Sequence, residues 1–298
     1  MSNKQLTSLG ITAAVLAVLT VLLYSVATPG RVFTPGEKLI PAFDPEKLGS
    51  IAIRHGAEKV TLQRQKAGGF AIAEKSLYPA STARINELIN ACVGVELADI
   101  VTREASNHAE LGVDENGADA VSITFGDTDG KTIAGIVKGK TPEGAQGPYL
   151  RRAGKEEVYL AKEWLSVNST PTSFMETNLV ESLTKDTVKR TVFTAGAESY
   201  TIAKNEDKVA VMSPVPDGKR GKKSEMDGML TALSYLAFSD VRQASELSDL
   251  AWEGTVLTEL ENGRSYTVEF AKKDDKHYLR IKSAMWKEAP ESITRNEP

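Results

Sequence analysis

Seven residues, Gly135-Ile136-Val137-Lys138-Gly139-Lys140-Thr141, nearly spell the loop that cradles nucleotide phosphates. That loop needs four residues between its first glycine and the Gly-Lys-Thr, and it must lead from a strand into a helix whose N-terminus faces the phosphates. Here three residues intervene, Ala134 stands where the glycine is required, and Pro142-Glu143-Gly144 follows. The segment therefore reads as the end of a hairpin with a solvated lysine. His55, His108 and His277 lie far apart, with no His-x-x-x-His pair, so a metal site would have to be assembled wholly by folding. Cys92, the one cysteine, excludes an intramolecular disulfide and a Cys-rich zinc site, and it falls on the apolar stripe of a helix, where a thiol packs rather than reacts. No Gly-x-Ser-x-Gly nucleophile elbow occurs.

Among the many acids, Asp99 and Asp240 alone occupy equivalent places in the internal repeat described below, where turn or capping roles are expected of them. Asn168-Ser169-Thr170 fits a glycosylation sequon, which matters only in a eukaryotic secretory pathway. The sharpest charge feature is Lys219-Arg220-Gly221-Lys222-Lys223. Such a run is either a solvated loop or a contact for anionic lipid head groups or an acidic protein face. Lys219, Arg220, Lys222 and Lys223 are accordingly the candidate interaction residues. The sequence assigns no catalytic residue, no metal ligand and no cofactor, and an enzyme is not expected.

The elements that must position these residues follow from pattern. A chain of 298 residues with 41% hydrophobic content has room for about two packed domains. Its net charge of −4 gives no general attraction to nucleic acid. Ile85, Leu88, Ile89 and Cys92 recur at helical spacing and predict an amphipathic helix from about Ser81 or Thr82. Met226, Met229, Leu230 and Leu233 repeat the stripe 141 positions later, with Ser224 and Asp227 as an expected capping box. Leu97-Ala98-Asp99-Ile100 answers Phe238-Ser239-Asp240-Val241 at the same offset, and Leu111 answers Trp252. Alternating segments joined at Asp129-Gly130 and Asn262-Gly263 predict matching hairpins, and Tyr149-Leu150-Arg151 and Tyr278-Leu279-Arg280 close the two copies. Each copy reads β-β-β-α-β-β-β.

Ahead of the repeat, Gln5 to Gly30 carries no charge, and Leu9 to Ala27 is almost wholly apolar. Nineteen helical residues reach about 28 Å, roughly a hydrocarbon core. The run is longer than a signal peptide's apolar region and its start is weakly basic, although Ser25-Val26-Ala27 would serve as a cleavage site. An uncleaved anchor is the expectation, with the remainder outside the cytoplasm.

The order of several short motifs is similar to one known family. Asp44-Pro45-Glu46-Lys47-Leu48, Tyr78-Pro79-Ala80 before the first helix, Gly112-Val113-Asp114 after it, and Val158-Tyr159-Leu160 resemble the domain-of-unknown-function family 4340. Residues 44 to about 170 carry the resemblance well and the second copy loosely. Ser81 stands where the family tends to have aspartate, and Ala251-Trp252-Glu253 replaces the Gly-Val-Asp turn. The resemblance implies a bacterial envelope protein of unassigned biochemistry, an accessory to ABC-type transport components of the gliding-motility auxiliary kind.

The expected organisation is α+β: a tail at 1–5, a transmembrane helix at 6–27, a Pro-rich spacer at 28–43, a first module at 44–176, a linker at 177–184, a second module at 185–287 and a tail at 288–298. Each module is expected to be an antiparallel sheet with one amphipathic helix. The expected function is a non-enzymatic, single-pass inner-membrane accessory or scaffold protein that engages an envelope protein. The alternative is a binding module for a small molecule, lipid or glycan between the two modules.

Overall fold

Short runs rich in Val, Ile, Thr and aromatic residues, punctuated by Gly, favour strands, and strands dominate this fold. The structure, a computed structural model, describes residues 33–180 and 183–285. The expected anchor at 6–27 and the tails at 1–5 and 288–298 lie outside the described residues. Among the described residues no helix is long and apolar enough to cross a membrane.

In chain order the elements are β1 (Leu48–His55), β2 (Glu58–Arg64), β3 (Phe70–Ile72), β4 (Tyr78–Pro79), α1 (Thr82–Gly94), β5 (Leu97–Thr102), α2 (His108–Leu111), β6 (Val121–Asp127), β7 (Thr132–Lys138), β8 (Tyr149–Arg152) and β9 (Val158–Ala161). They continue with β10 (Val188–Ala195), β11 (Glu198–Lys204), β12 (Ala210–Ser213), α3 (Lys223–Leu230), β13 (Gly254–Leu260), β14 (Arg264–Lys273) and β15 (Lys276–Met285). Two sheets result, a nine-stranded one of order β4-β3-β2-β1-β6-β7-β8-β9-β5 and a six-stranded one of order β12-β11-β10-β13-β14-β15. With predominantly antiparallel pairing and few helices, the fold is α+β.

The order β3-β2-β1-β6-β7-β8 inside the first sheet is the order β12-β11-β10-β13-β14-β15 of the second. Register agrees at a finer level. Leu48 pairs with Asp127 and Ser50 with Gly126, so one residue of β1 bulges; Val188 pairs with Leu260 and Arg190 with Glu259, placing the same bulge in β10. Bulges at matching positions are retained features of a backbone rather than accidents. The central pairs differ in chemistry: Ile51 faces Phe125 across β1 and β6, whereas Thr191 faces Thr258, and all four are fully buried. The two threonine hydroxyls satisfy each other at 3.0 Å, and that of Thr191 also donates to the Leu230 carbonyl at 2.7 Å. A buried polar pair survives because its hydrogen bonds are made.

Both hairpin turns form where expected, with Gly130 at φ 83° and Gly263 at φ 90°. Only the glycine of each pair has positive φ, so the turns are not the doubly left-handed type that Asp-Gly and Asn-Gly most favour.

The chain divides into two compact units. One holds the described residues up to Lys59 with Glu87–Ser169; the other holds Val60–Asn86 with the described residues from Thr170 on. Inside the second unit, the Tyr78 ring meets Phe238 edge-on at 6.5 Å and Lys75 reaches Asp240 at 2.5 Å. These interactions join Val60–Asn86 to residues far along the chain.

The helices follow the stripes with local differences. Ile85, Leu88 and Cys92 are buried on α1 while Ile89 is half-buried; Met226 and Leu230 are buried on α3 while Met229 is half-buried. α3 lies over β10, β11 and β12. The capping box is corrected: α3 starts at Lys223, Lys222 is its N-cap without a side-chain bond, and Ser224 lies inside the helix. The Lys222 carbonyl already accepts the Met226 N–H at 3.0 Å, which starts the ladder early. α3 also stops at Leu230, and Leu233 belongs to a separate 3-10 turn at Ala232–Tyr235. Thr191 takes the Leu230 carbonyl, one of the acceptors a helix end leaves without an intrahelical partner.

Candidate functional site

The basic residues sit where β12 hands over to α3. Gly218 at φ 71° and a bond from the Lys219 N–H to the Pro216 carbonyl, 3.0 Å, turn the chain, and Gly221 rests on Met226. A Cβ at Gly221 would meet the Met226 side chain at 3.1 Å, so this close approach anchors the loop to the second core. Lys219, Arg220, Lys222 and Lys223 are all exposed. Lys222 pairs with Glu225 at 3.0 Å. The cations precede or begin the helix, at its electropositive end, where positive charge opposes the backbone dipole. The local fold gains nothing from them, so their accumulation is a surface property.

Beside the loop, Val211 and Val215 are 42% and 48% exposed. The loop presents four exposed cations at the surface.

The turn or capping role expected of the repeat-equivalent aspartates is not what the fold gives them, since Asp99 lies within β5 and Asp240 within an irregular segment. Asp99 and Asp240 each accept the N–H of the following residue at 2.8 Å. Asp99 lies on strand β5, paired with β9, whereas Phe238–Val241 forms no strand. Asp240 has in addition the Lys75 ammonium. Burial works to raise its pKa, but the hydrogen bonds from Lys75 and the Val241 N–H, with the charges of Lys75 and Arg242, hold it below the ordinary 3.8. A carboxyl depressed by folding stabilises the native state above its unfolded pKa and loses that contribution as pH falls through its folded one. Asp240→Asn should therefore lower the melting temperature at neutral pH and converge on the wild type below about pH 4. A difference that persisted unchanged in acid would contradict this assignment.

A second arrangement of charge lies in the first unit. Gly112, at φ 71°, ends α2, and the Val113 that follows is fully buried with Ala120, Val137 and Val158. Arg151, 5% exposed, donates to the Val113 carbonyl at 3.0 Å, the Lys155 carbonyl at 2.7 Å and the Glu115 carboxylate at 3.0 Å. The Gly-Val-Asp turn is thus held by the arginine of Tyr149-Leu150-Arg151. In the second copy, Arg280 binds Glu269 and stacks over the Trp252 ring at 4.3 Å. Trp252 is the counterpart of Leu111, so both arginines secure the segment that follows the helix.

With this geometry in hand, one comparison decides the family. A family model for a domain of unknown function, DUF4340, matches residues 71–253, more than half of the chain. The chain belongs to this family. No curated protein and no solved structure matches it. The DUF4340 match takes in α1, the Arg151 clamp, the basic loop and α3, and ends at Glu253, just before β13.

Lys138 of the near-miss phosphate loop is half-buried over the Trp164 ring at 4.8 Å, and burial lowers its pKa. Lys140 pairs with Asp119 at 3.2 Å, and the next element is β8, not a helix. The backbone at Gly139 passes so close to the Leu111 carbonyl that a Cβ would lie 2.4 Å from it. That packing explains the glycine without a ligand. Burial pushes the Cys92 thiol up to about 12, which keeps it protonated and unreactive at neutral pH. His55 and His277 are exposed, and a ring nitrogen of His108 bonds the Glu156 carbonyl at 2.8 Å. Ser169 of the sequon donates to Glu58 at 2.5 Å. Among the described residues no three His, Cys, Asp or Glu cluster to hold a metal.

Sequence reasoning missed the Arg151 clamp, although its two motifs were in view, and the pairing of Lys75 with Asp240, which has no local signal. It also missed a cleft of about 450 Å³ in the second unit, lined by residues including Leu179, Val180, Leu233, Ser234 and Leu236. The Ser234 hydroxyl there is already used by the Leu183 and Thr231 carbonyls.

Proposed function

We propose that this chain is a non-enzymatic accessory or scaffold protein of the bacterial envelope, held in the inner membrane by residues 6–27 and working outside the cytoplasm. The observation that carries this reading is the uncharged stretch from Gln5 to Gly30, followed by a polar chain with no comparable run. Two antiparallel sheets and an exposed, largely unpaired basic loop support association as the task. The partner class, an ABC-type transport component of the gliding-motility auxiliary kind, rests on family resemblance.

If the anchor is retained, mass spectrometry of the membrane fraction recovers the N-terminal segment; a mature terminus at Thr28 would replace the anchor by a cleaved signal. The basic loop is the contact offered to the partner. Replacing Lys219, Arg220, Lys222 and Lys223 by Ser should reduce partner recovery from detergent-solubilised membranes. Each cation near an anionic lipid surface adds about 1 kcal/mol, so loss of liposome binding alone would assign the loop to lipid. No change in either would leave it a solvated turn.

A further inference from the structure

The two copies differ most at one edge. β15 pairs with β14 at ten consecutive positions, from Arg264–Met285 to Lys273–Lys276, and ends its sheet among the described residues. Its counterpart β8 has a second neighbour: β9 pairs with it through Tyr149–Leu160, Leu150–Tyr159 and Arg151–Val158, and β5 follows beyond. The packing registers this difference. Leu150 is fully buried, whereas its counterpart Leu279 and the nearby Ile281 are only half-buried against the second core. Among the described residues, no strand closes the second core along the line that β9 closes in the first copy.

We propose that the outer edge of β15 is a strand-addition site for an extended segment of a partner protein, apolar on its core-facing side and acidic on the other. Residues two apart along a strand share a face, so Leu279 and Ile281 form one row and Lys276, Arg280 and Lys282 the other. The apolar row offers partly covered surface for alternate side chains of an added strand, and the backbone edge offers the hydrogen bonds. β15 contains Lys276, His277, Arg280 and Lys282 and no acid. Arg280 and Lys282 share a single carboxylate, Glu269. Positive charge is therefore in excess along this row. A second copy of β15 would set cations opposite cations, which is unfavourable across strands, while carboxylates on an incoming strand are complementary. The charges that guard a long edge against self-pairing thus also choose its occupant.

This inference rests on the scaffold reading and specifies the chemistry of its partner. The test uses the purified full chain and two synthetic ten-residue peptides, one alternating Val with Glu and one alternating Val with Lys. The acidic peptide is expected to bind and to slow exchange of the β15 amides that point away from β14 by at least about tenfold, while the basic one does neither. Ile281→Lys, which puts a charge into the apolar row, should abolish binding with the far-ultraviolet circular dichroism retained. If that variant misfolds, Lys276→Glu with Lys282→Glu should reverse the peptide preference. Equal binding of both peptides, binding without protection of β15, or no binding overturns the proposal. So does protection, in the free chain, of the β15 amides that point away from β14: dependence on protein concentration would assign the edge to a second copy, and independence to the chain's own residues 286–298. A membrane pull-down that still recovers a partner when neither peptide binds would leave the scaffold reading in place with its contact elsewhere.

Discussion

Leu230→Ala should destabilise the second unit by about 2 to 5 kcal/mol, through lost transfer energy and a cavity that neighbours only partly fill. Leu230 is 1% exposed and sits in a cluster with Val188, Ile202, Met226, Leu233, Leu260 and Val268. Those partners come from strands and helix alike, so no one element can collapse into the space. At about 2 to 4 °C per kcal/mol for a domain of this size, the melting temperature should fall by roughly 4 to 20 °C. Met229→Ala provides the internal comparison, because Met229 lies on the same helix but is only half-buried. Its cost should be clearly smaller. Equal shifts in guanidinium unfolding midpoints for the two variants would mean that the stripe does not face the core as described.

The comparison of these neighbours shows what the sequence could convey. Apolar periodicity located α1 and the start of the second stripe, since the core faces of helices recur at fixed spacing whatever they pack against. It could not say that α3 would end at Leu230, whose carbonyl is taken by the Thr191 hydroxyl 39 positions earlier in the chain. Hairpin positions were legible from Asp129-Gly130 and Asn262-Gly263; the turn type was not, since only the glycine needs the left-handed conformation. The recurring bulge had no signature at all: Gly49 occupies it in β1 and Lys189 in β10. Of the candidate site, the four cations were visible as a charge run. That Gly221 pins their loop to Met226 depends on tertiary packing. The same applies to β15, whose sequence resembles its counterpart while, among the described residues, no strand covers it as β9 covers β8.

Arg151→Ala should be the more informative loss, because the repeat supplies its own control in Arg280. The Arg151 side chain is 6% exposed and feeds three acceptors; one, the carbonyl of fully buried Val113, has no water to turn to when the arginine is removed. Its Glu115 partner is 40% exposed and can rehydrate, so the penalty falls short of a fully buried pair and should be about 3 kcal/mol. The Val113 turn should loosen with it, read as faster amide exchange from Gly112 to Glu115. Arg280 has a side chain 44% exposed and partners that water can replace. Arg280→Ala should leave the melting temperature nearly unchanged and show its effect in the Trp252 fluorescence, where the guanidinium covers the ring. If both variants destabilised equally, burial would not be what separates the two arginines. If neither did, the clamp would be a surface contact and the Gly-Val-Asp turn would stand on Gly112 and Val113 alone.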